Sequence, residues 1–277
     1  MSISKLDFEY MSWLAFHLAA LVIEPGKEYL VETRLGPLAE RAGFASLTDY
    51  IARLRTETKI NGVHHRTIEA LTTNETFFFR DFHPFEALRR SILPAVIAQR
   101  CAARRLTIWS AACSSGQEPY SLAMLLREHY PELANGWEVS ILATDFAQTV
   151  LEQARRGCYS QFEVNRGLPA TYLVKYFTQR ADGWHVNDDL KRGIEFRPMN
   201  LAEPWPMLPP FDLVFLRNVM IYFNVETKKN ILKKIKGCLL PHGYLFLGTA
   251  ETTTNLDPGY QPLTFGKAVV YGHTPAV

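Results

Sequence analysis

From about residue 104 the chain alternates short apolar runs with amphipathic helices, and this alternation limits the fold more than any other feature of the sequence. Residues 106–111, 139–143, 194–196, 211–216 and 244–248 have the aliphatic, β-branched and aromatic character of buried strands. Between them, 119–130 reads as a helix with Pro119 in its first turn, where a missing N–H costs little. A later helix starts after Asn224, a natural N-cap, and carries Ile231, Leu232 and Ile235 on its inner face. It is expected to pass through Pro241-His242-Gly243 into the next strand, and a hairpin-like pair follows between about 263 and 271. Such repetition predicts a parallel sheet covered by helices on both faces, with ligands beyond the carboxyl ends of its strands.

The first 70 residues have a different texture. Leu6, Tyr10, Leu14, Leu18 and Leu21 recur at helical spacing until Pro25-Gly26. A second helix is predicted over 28–41, ending at Gly43, and a third after Ser46 with Tyr50, Ile51 and Leu54 inward. Residues 157–193, with five glycines or prolines among short β-prone pieces such as Gly183-Trp184-His185-Val186, read as an insertion. The expected organisation is an all-α unit at 1–71 and an α/β unit at 72–277, with a small antiparallel β insertion at about 157–193.

Composition removes several function classes. A formal net charge of +2 over 277 residues argues against a general nucleic-acid binder. Cys101, Cys113, Cys158 and Cys238 lie far apart with no Cys-x-x-Cys pair, so neither a zinc site nor a disulfide framework is expected, and a cytoplasmic location is. The longest apolar stretch, 11–23, is too short to span a membrane, and the first residues lack the pattern of a signal peptide.

Residues 72–80, Thr-Thr-Asn-Glu-Thr-Phe-Phe-Phe-Arg, fit neither a strand nor a helix period. They are expected to bury Phe77, Phe78 and Phe79 while holding Asn74, Thr76 and Arg80 against something polar. A guanidinium among rings requires a carboxylate or phosphate partner. Further polar groups follow the strands. After the first comes Ala112-Cys113-Ser114-Ser115-Gly116-Gln117-Glu118-Pro119, a small-residue turn with too few glycines for a dinucleotide fingerprint. Glu118 would repel a pyrophosphate but suits the ammonium and sulfonium of S-adenosylmethionine. Asp145 ends the second strand, where an acid can accept both ribose hydroxyls. Asn200 ends the third, and Arg217-Asn218 ends the fourth, ahead of Tyr222.

Thr73-Asn74-x-Thr76-x-Phe78-Phe79-Arg80 resembles the signature of the chemotaxis receptor methyltransferases, the CheR family. The 114–121, 143–145 and 217–223 segments resemble that family's cofactor loop, second-strand acid and fourth-strand motif, so the likeness covers nearly the whole chain. It implies a doubly wound, Rossmann-like S-adenosylmethionine methyltransferase sheet. It implies that Asn74, Thr76, Arg80, Glu118, Asp145, Asn200, Leu201, Arg217 and Asn218 surround S-adenosylmethionine, released as S-adenosylhomocysteine, and that Tyr222 lines the methyl-transfer site. No metal is expected. The implied substrate is glutamate on the cytoplasmic helical bundle of chemoreceptors. Residues 34–66 hold six basic and three acidic residues, so Arg34, Arg41 and Arg53 are candidates to face that bundle. The 178–184 stretch is shorter than the glycine-containing loop of members that tether to a receptor C-terminal pentapeptide, so no tether is expected.

Methyl transfer to a carboxylate needs no strong base, because glutamate is ionised at pH 7 with a reference pKa of about 4.3. Proximity, orientation and removal of water are therefore the expected contributions, with Arg80 and Tyr222 as the residues that position the reacting groups. Another acceptor, or an inactive receptor-binding adaptor that keeps the fold, are the alternatives. The Asp/Asn-Pro-Pro-aromatic motif of nucleic-acid amine methyltransferases is absent after the fourth strand.

Overall fold

In the computed structural model, which describes residues 3–273, the chain opens with α1 (Lys5–Ala19), α2 (Glu28–Arg41), α3 (Leu47–Thr56) and α4 (Gly62–Leu71). Each begins where its local chemistry permits. Ser4, Ser46 and Asn61 accept N-terminal amide hydrogens of α1, α3 and α4, satisfying donors that the first turn leaves unpaired. Phe8, Met11, Leu14, Ala15 and Leu18 of α1 form one core with Val31, Leu35, Ile51, Leu54, Ile68 and Leu71. Leu6 departs from the expected inner face and is 69% exposed. The helix also stops earlier than Pro25-Gly26 implied: Ala20 turns left-handed at φ 52°, and the Leu21 amide bonds the Ala15 carbonyl at 3.2 Å. Leu21 is thereby released from α1 to line the cleft described below.

The α/β part starts with α5 (His83–Ala87), a π-helical turn at Leu88–Ile92, and α6 (Leu93–Arg100). Then follow β1 (Arg105–Ala111), α7 (Gln117–His129), β2 (Glu138–Asp145) and α8 (Gln148–Arg156). The insertion contributes β3 (Cys158–Tyr159), α9 (Gln161–Val164), α10 (Ala170–Tyr176), β4 (Phe177–Arg180), β5 (Gly183–Val186) and α11 (Asp188–Lys191). The chain returns through β6 (Ile194–Pro198), β7 (Phe211–Leu216), α12 (Val225–Cys238), β8 (Leu239–Leu247), β9 (Tyr260–Phe265) and β10 (Ala268–His273).

Seven strands form one sheet in the order β6-β2-β1-β7-β8-β10-β9, and β3-β5-β4 form a separate antiparallel sheet. The first five strands of the large sheet are parallel, and β10 and β9 add an antiparallel edge. Alternate residues of the central strands enter different cores. Ile108, Leu213, Phe215 and Phe246 pack on one face, while Trp109, Ala111, Val214, Leu216 and Leu245 pack on the other. This two-sided burial is why these strands read as continuous apolar runs. The strand order reverses at β1, which lies between β2 and β7, so a crevice opens beyond the carboxyl ends of these strands. Pro241-His242-Gly243 is not a connecting loop: it lies inside β8, which follows α12 directly. Among the described residues, no helix is long and apolar enough to cross a membrane.

Candidate functional site

A cleft of about 960 Å³, open to solvent, occupies that crevice. The strand ends contribute Ala112–Ser114 after β1, Asp145 and Phe146 after β2, 199–201 after β6 and 217–219 after β7. Residues 72–76 and Arg80 contribute a second part, and Ala19, Leu21, Tyr222 and Phe223 a third. All ten residues singled out from the sequence line this one cleft: Asn74, Thr76, Arg80, Glu118, Asp145, Asn200, Leu201, Arg217, Asn218 and Tyr222.

Its backbone is unusual in the same places. Ala112, Ser114 and Asn218 have φ of 59°, 51° and 58°, and Phe79, Asp81 and Phe82 beside it have 50°, 69° and 48°. Such left-handed conformations are unfavourable for residues with a Cβ, at about 1–3 kcal/mol where strained, and cluster at functional sites. Here they let consecutive amides and carbonyls face different partners. The Ser114 amide, for example, donates to Asp145 Oδ2 at 2.8 Å while its hydroxyl donates to the Asn74 carbonyl at 2.9 Å.

Asp145 is 7% exposed, and its other oxygen accepts from the Ala147 amide at 2.9 Å. Burial pushes its carboxyl above the ordinary aspartate value, against the backbone amides of Ala147, Ser114 and Phe146, which favour the ionised form. Cys113 next to it is a fully buried thiol, raised well above its usual range by burial and then by Asp145 and Glu118.

The buried guanidinium of the site is Arg217, not Arg80. Arg217 donates to Glu118 Oε2 at 2.9 Å, to Asp81 Oδ2 at 2.8 Å and to the Arg80 carbonyl at 2.8 Å, leaving its Nε without a partner. Glu118 completes its own pairing by accepting from Ser110 Oγ at 2.7 Å. Arg80 is half-buried and forms no ion pair among the described residues: it donates to the Glu75 carbonyl at 2.7 Å and lies over the Phe77 ring at 5.4 Å. The expectation of three buried rings also needs correcting, since Phe78 alone is fully buried and Phe77 and Phe79 are half-exposed. A positive φ at Phe79 breaks the segment into a turn, so its three rings cannot share one environment.

The remaining polar groups divide into committed and free. The Asn200 amide donates to the Leu18 carbonyl at 2.6 Å and its oxygen accepts from Ala202, tying the strand end to α1. Leu201 is buried, and its carbonyl accepts from Lys234 Nζ at 2.7 Å. Asn74 exchanges contacts with Thr72. By contrast, the side-chain hydroxyls of Thr76 and Tyr222 and the Asn218 side-chain amide have no hydrogen-bond partner among the described residues, and all three line the cleft. Tyr222 packs its ring against the core of the N-terminal helices, and its carbonyl accepts from the Val22 amide at 3.0 Å.

Sequence reasoning missed several parts of this arrangement. Glu251 accepts from the Asn218 amide at 2.8 Å and the Gly248 amide at 2.7 Å, fixing the turn after β7. Asp81 bridges to Arg217, and Ala19, Leu21, Phe146 and Met199 add apolar wall. The Asp81 signal was adjacency to the nonapeptide; Glu251 carried none. Of the three basic residues assigned to a partner, Arg41 and Arg53 are exposed, with Arg53 paired to Glu57 at 2.6 Å. Arg34 instead bonds the Leu71 carbonyl and Thr73 Oγ1, supporting the start of the nonapeptide.

The cleft suits S-adenosylmethionine better than a phosphate-bearing cofactor. Its lining includes three acidic residues, Glu75, Glu118 and Asp145, beside apolar walls, with uncommitted hydroxyl and amide groups able to meet a nucleoside and an amino acid. Comparisons with known proteins agree. Residues 74–266 match the family description "CheR methyltransferase, SAM binding domain", and residues 6–72 match "CheR methyltransferase, all-alpha domain". The chain is 40% identical to chemotaxis protein methyltransferase 1 of Pseudomonas aeruginosa over 98% of its length and 99% of the relative's. It is 38% identical to chemotaxis protein methyltransferase Cher2 of Pseudomonas putida, covering 98% of this chain and 99% of that one. The chemotaxis protein methyltransferase of Vibrio parahaemolyticus is also 38% identical, with 98% of each chain covered. The strand-end residues, the helical cap over them and this end-to-end similarity together place the chain in the CheR methyltransferase family.

Proposed function

We propose that this protein methylates glutamate side chains on the cytoplasmic helical bundle of chemoreceptors, forming glutamyl methyl esters in chemotactic adaptation. The observation that carries this reading is the convergence of Thr76, Asn218 and Tyr222, unpaired, on a cleft that also holds Asp145 and Glu118. S-adenosylmethionine bound there supplies a methyl group on a positively charged sulfur, which an ionised carboxylate can accept without a general base.

The chain's own residues then bind, orient and exclude water. Asp145 is positioned to accept ribose hydroxyls, and Asn74, Asn200, Leu201, Arg217 and Asn218 surround the cofactor with it. Glu118 is held rigid by Ser110 and Arg217, so its negative charge stays fixed. Arg80, whose guanidinium forms no ion pair among the described residues, steers an incoming carboxylate. The Tyr222 hydroxyl orients it by a hydrogen bond. Leu21 and Phe223 limit water at the reacting centre.

The units at 1–71 and 72–277 divide the work between receptor docking and chemistry, in the cytoplasm. The exposed guanidinium groups of Arg41 and Arg53 face an acidic helical surface, whereas Arg34 supports the nonapeptide. The β4–β5 connection is a two-residue turn, since Arg180 pairs directly with Gly183. It leaves little backbone to grip a receptor tail, so the enzyme acts without the pentapeptide tether. Calorimetry with a receptor-tail peptide tests this point, and submicromolar binding would refute it. Label transfer from radiolabelled S-adenosylmethionine to receptor-bearing membranes tests the reaction itself.

A further inference from the structure

The small sheet holds a group of side chains that the methyl-transfer cleft does not use. Cys158 on β3 lies directly opposite His185 on β5 in the antiparallel register, so both side chains emerge on one face.

 The residue opposite Cys158, His185, is half-buried, and Asp182 reaches the same point from the β4–β5 turn. The ligating atoms, Cys158 Sγ, an Asp182 carboxylate oxygen and a His185 ring nitrogen, all lie within 4.8 Å of one another. His185 Nε2 is 2.8 Å from Asp182 Oδ1, and Cys158 is a free thiol with its sulfur 3.6 Å from the Asp182 carbonyl.

We propose that Cys158, Asp182 and His185 form a binding site for a single zinc ion. The donor set is the reason for the choice of metal. One thiolate, one imidazole and one carboxylate suit a borderline-soft ion, whereas magnesium and calcium take oxygen ligands. Zinc bonds of about 2.0–2.3 Å place three such ligands close to the spacing already present, so closing the site takes small side-chain rotations. The ion enters between Nε2 and Oδ1, replacing their hydrogen bond; the Nε2 proton is given up as the imidazole takes the tautomer protonated at Nδ1, and the thiol proton leaves to solvent as the sulfur coordinates. Three protein ligands leave a fourth tetrahedral position for water or an incoming donor. The site is invisible to a search for Cys-x-x-Cys, because its ligands are 24 and 3 residues apart in sequence and meet through strand pairing.

Bound zinc ties β3 to the β4–β5 hairpin. It therefore stabilises the insertion in proportion to the logarithm of metal concentration. It does not depend on the methyl-transfer reading, because none of its ligands lines the cofactor cleft.

Cobalt titration of the full-length protein, freed of metal by a chelator, tests the proposal. The expected result is a thiolate-to-cobalt charge-transfer band with the visible bands of a tetrahedral site, saturating at one equivalent and abolished by zinc. Cys158→Ser and His185→Gln each weaken zinc binding by about a hundredfold or more, while Cys101→Ser, at an exposed thiol elsewhere, leaves it unchanged. Circular dichroism of the metal-free variants checks that the fold is retained. Absence of the charge-transfer band in the unmodified protein, or its persistence in Cys158→Ser, overturns the assignment.

Discussion

Arg217 and Glu118 join the end of β7 to the first turn of α7 through a 2.9 Å ion pair, with side-chain exposures of 2% and 12%. The pair makes one rigid unit of two strand-end motifs that are 99 residues apart. Asp81 and the Arg80 carbonyl extend it into the nonapeptide. The role expected of Arg80, a buried guanidinium held by carboxylates, thus belongs to Arg217.

Removing one partner of such a network leaves the others buried and unpaired. Arg217→Ala is expected to lower stability by about 3–5 kcal/mol, measured by denaturant unfolding. Arg217→Lys should recover only part of this, because one ammonium cannot reproduce a planar fork spanning Glu118, Asp81 and a carbonyl. Unchanged stability in Arg217→Ala would mean that the pair is dispensable.

Asp145 sets a pH dependence. Its carboxyl is raised by burial, and in the ribose-binding role proposed for it the ionised form is the one that accepts from the hydroxyls. Cofactor affinity should be full above the raised pKa and fall as pH drops through it. For folding the sign is opposite: a raised acid contributes stability below its unfolded pKa, and this is lost as pH rises through the folded value. Calorimetric titration of S-adenosylhomocysteine across the acidic range measures the binding effect, and Asp145→Asn should bind weakly with the pH dependence flattened. A flat profile in the unmodified protein would remove Asp145 from the ribose site.

Tyr222→Phe separates positioning from binding. The hydroxyl has no hydrogen-bond partner among the described residues, so its removal is expected to leave the fold and cofactor affinity intact. Losing a hydrogen bond to a charged carboxylate costs about 1.5–3 kcal/mol, so kcat/KM should fall by about 10–100-fold. Full activity in this variant would confine Tyr222 to packing.

Gly167 tests how the insertion supports the cleft. A Cβ there would lie 2.0 Å from the Phe78 carbonyl oxygen, and the residue has φ 84°. Gly167→Ala should destabilise the protein by more than about 1 kcal/mol and weaken cofactor binding by displacing the nonapeptide. Differential scanning calorimetry with and without S-adenosylhomocysteine measures both effects.

The parallel sheet was legible because burial on both faces leaves its strands uniformly apolar, as in Phe211–Leu216. The Asn224 cap was legible because capping is local, and its side-chain Oδ1 accepts from the Thr227 amide at 2.8 Å. Asp145, Asn200 and Arg217 could be picked out because polar residues at the ends of buried strands have few structural reasons to be there. What stayed hidden depends on backbone angles or distant contacts. Nothing local marks Ala20 as left-handed, so helical spacing alone carries α1 through Leu21, a residue that the fold places in the cleft. Glu251 reaches the Asn218 amide across 33 residues, and Arg34 reaches Thr73 across 39. Such contacts exist only after the chain has folded.

The most direct test of the central claim is transfer of label from radiolabelled S-adenosylmethionine to membranes carrying chemoreceptors. The account predicts base-labile label on the receptor, released as methanol, from the unmodified protein and far less from Tyr222→Phe. Label that resists base, or tight cofactor binding with no transfer to any receptor tested, would contradict glutamate esterification.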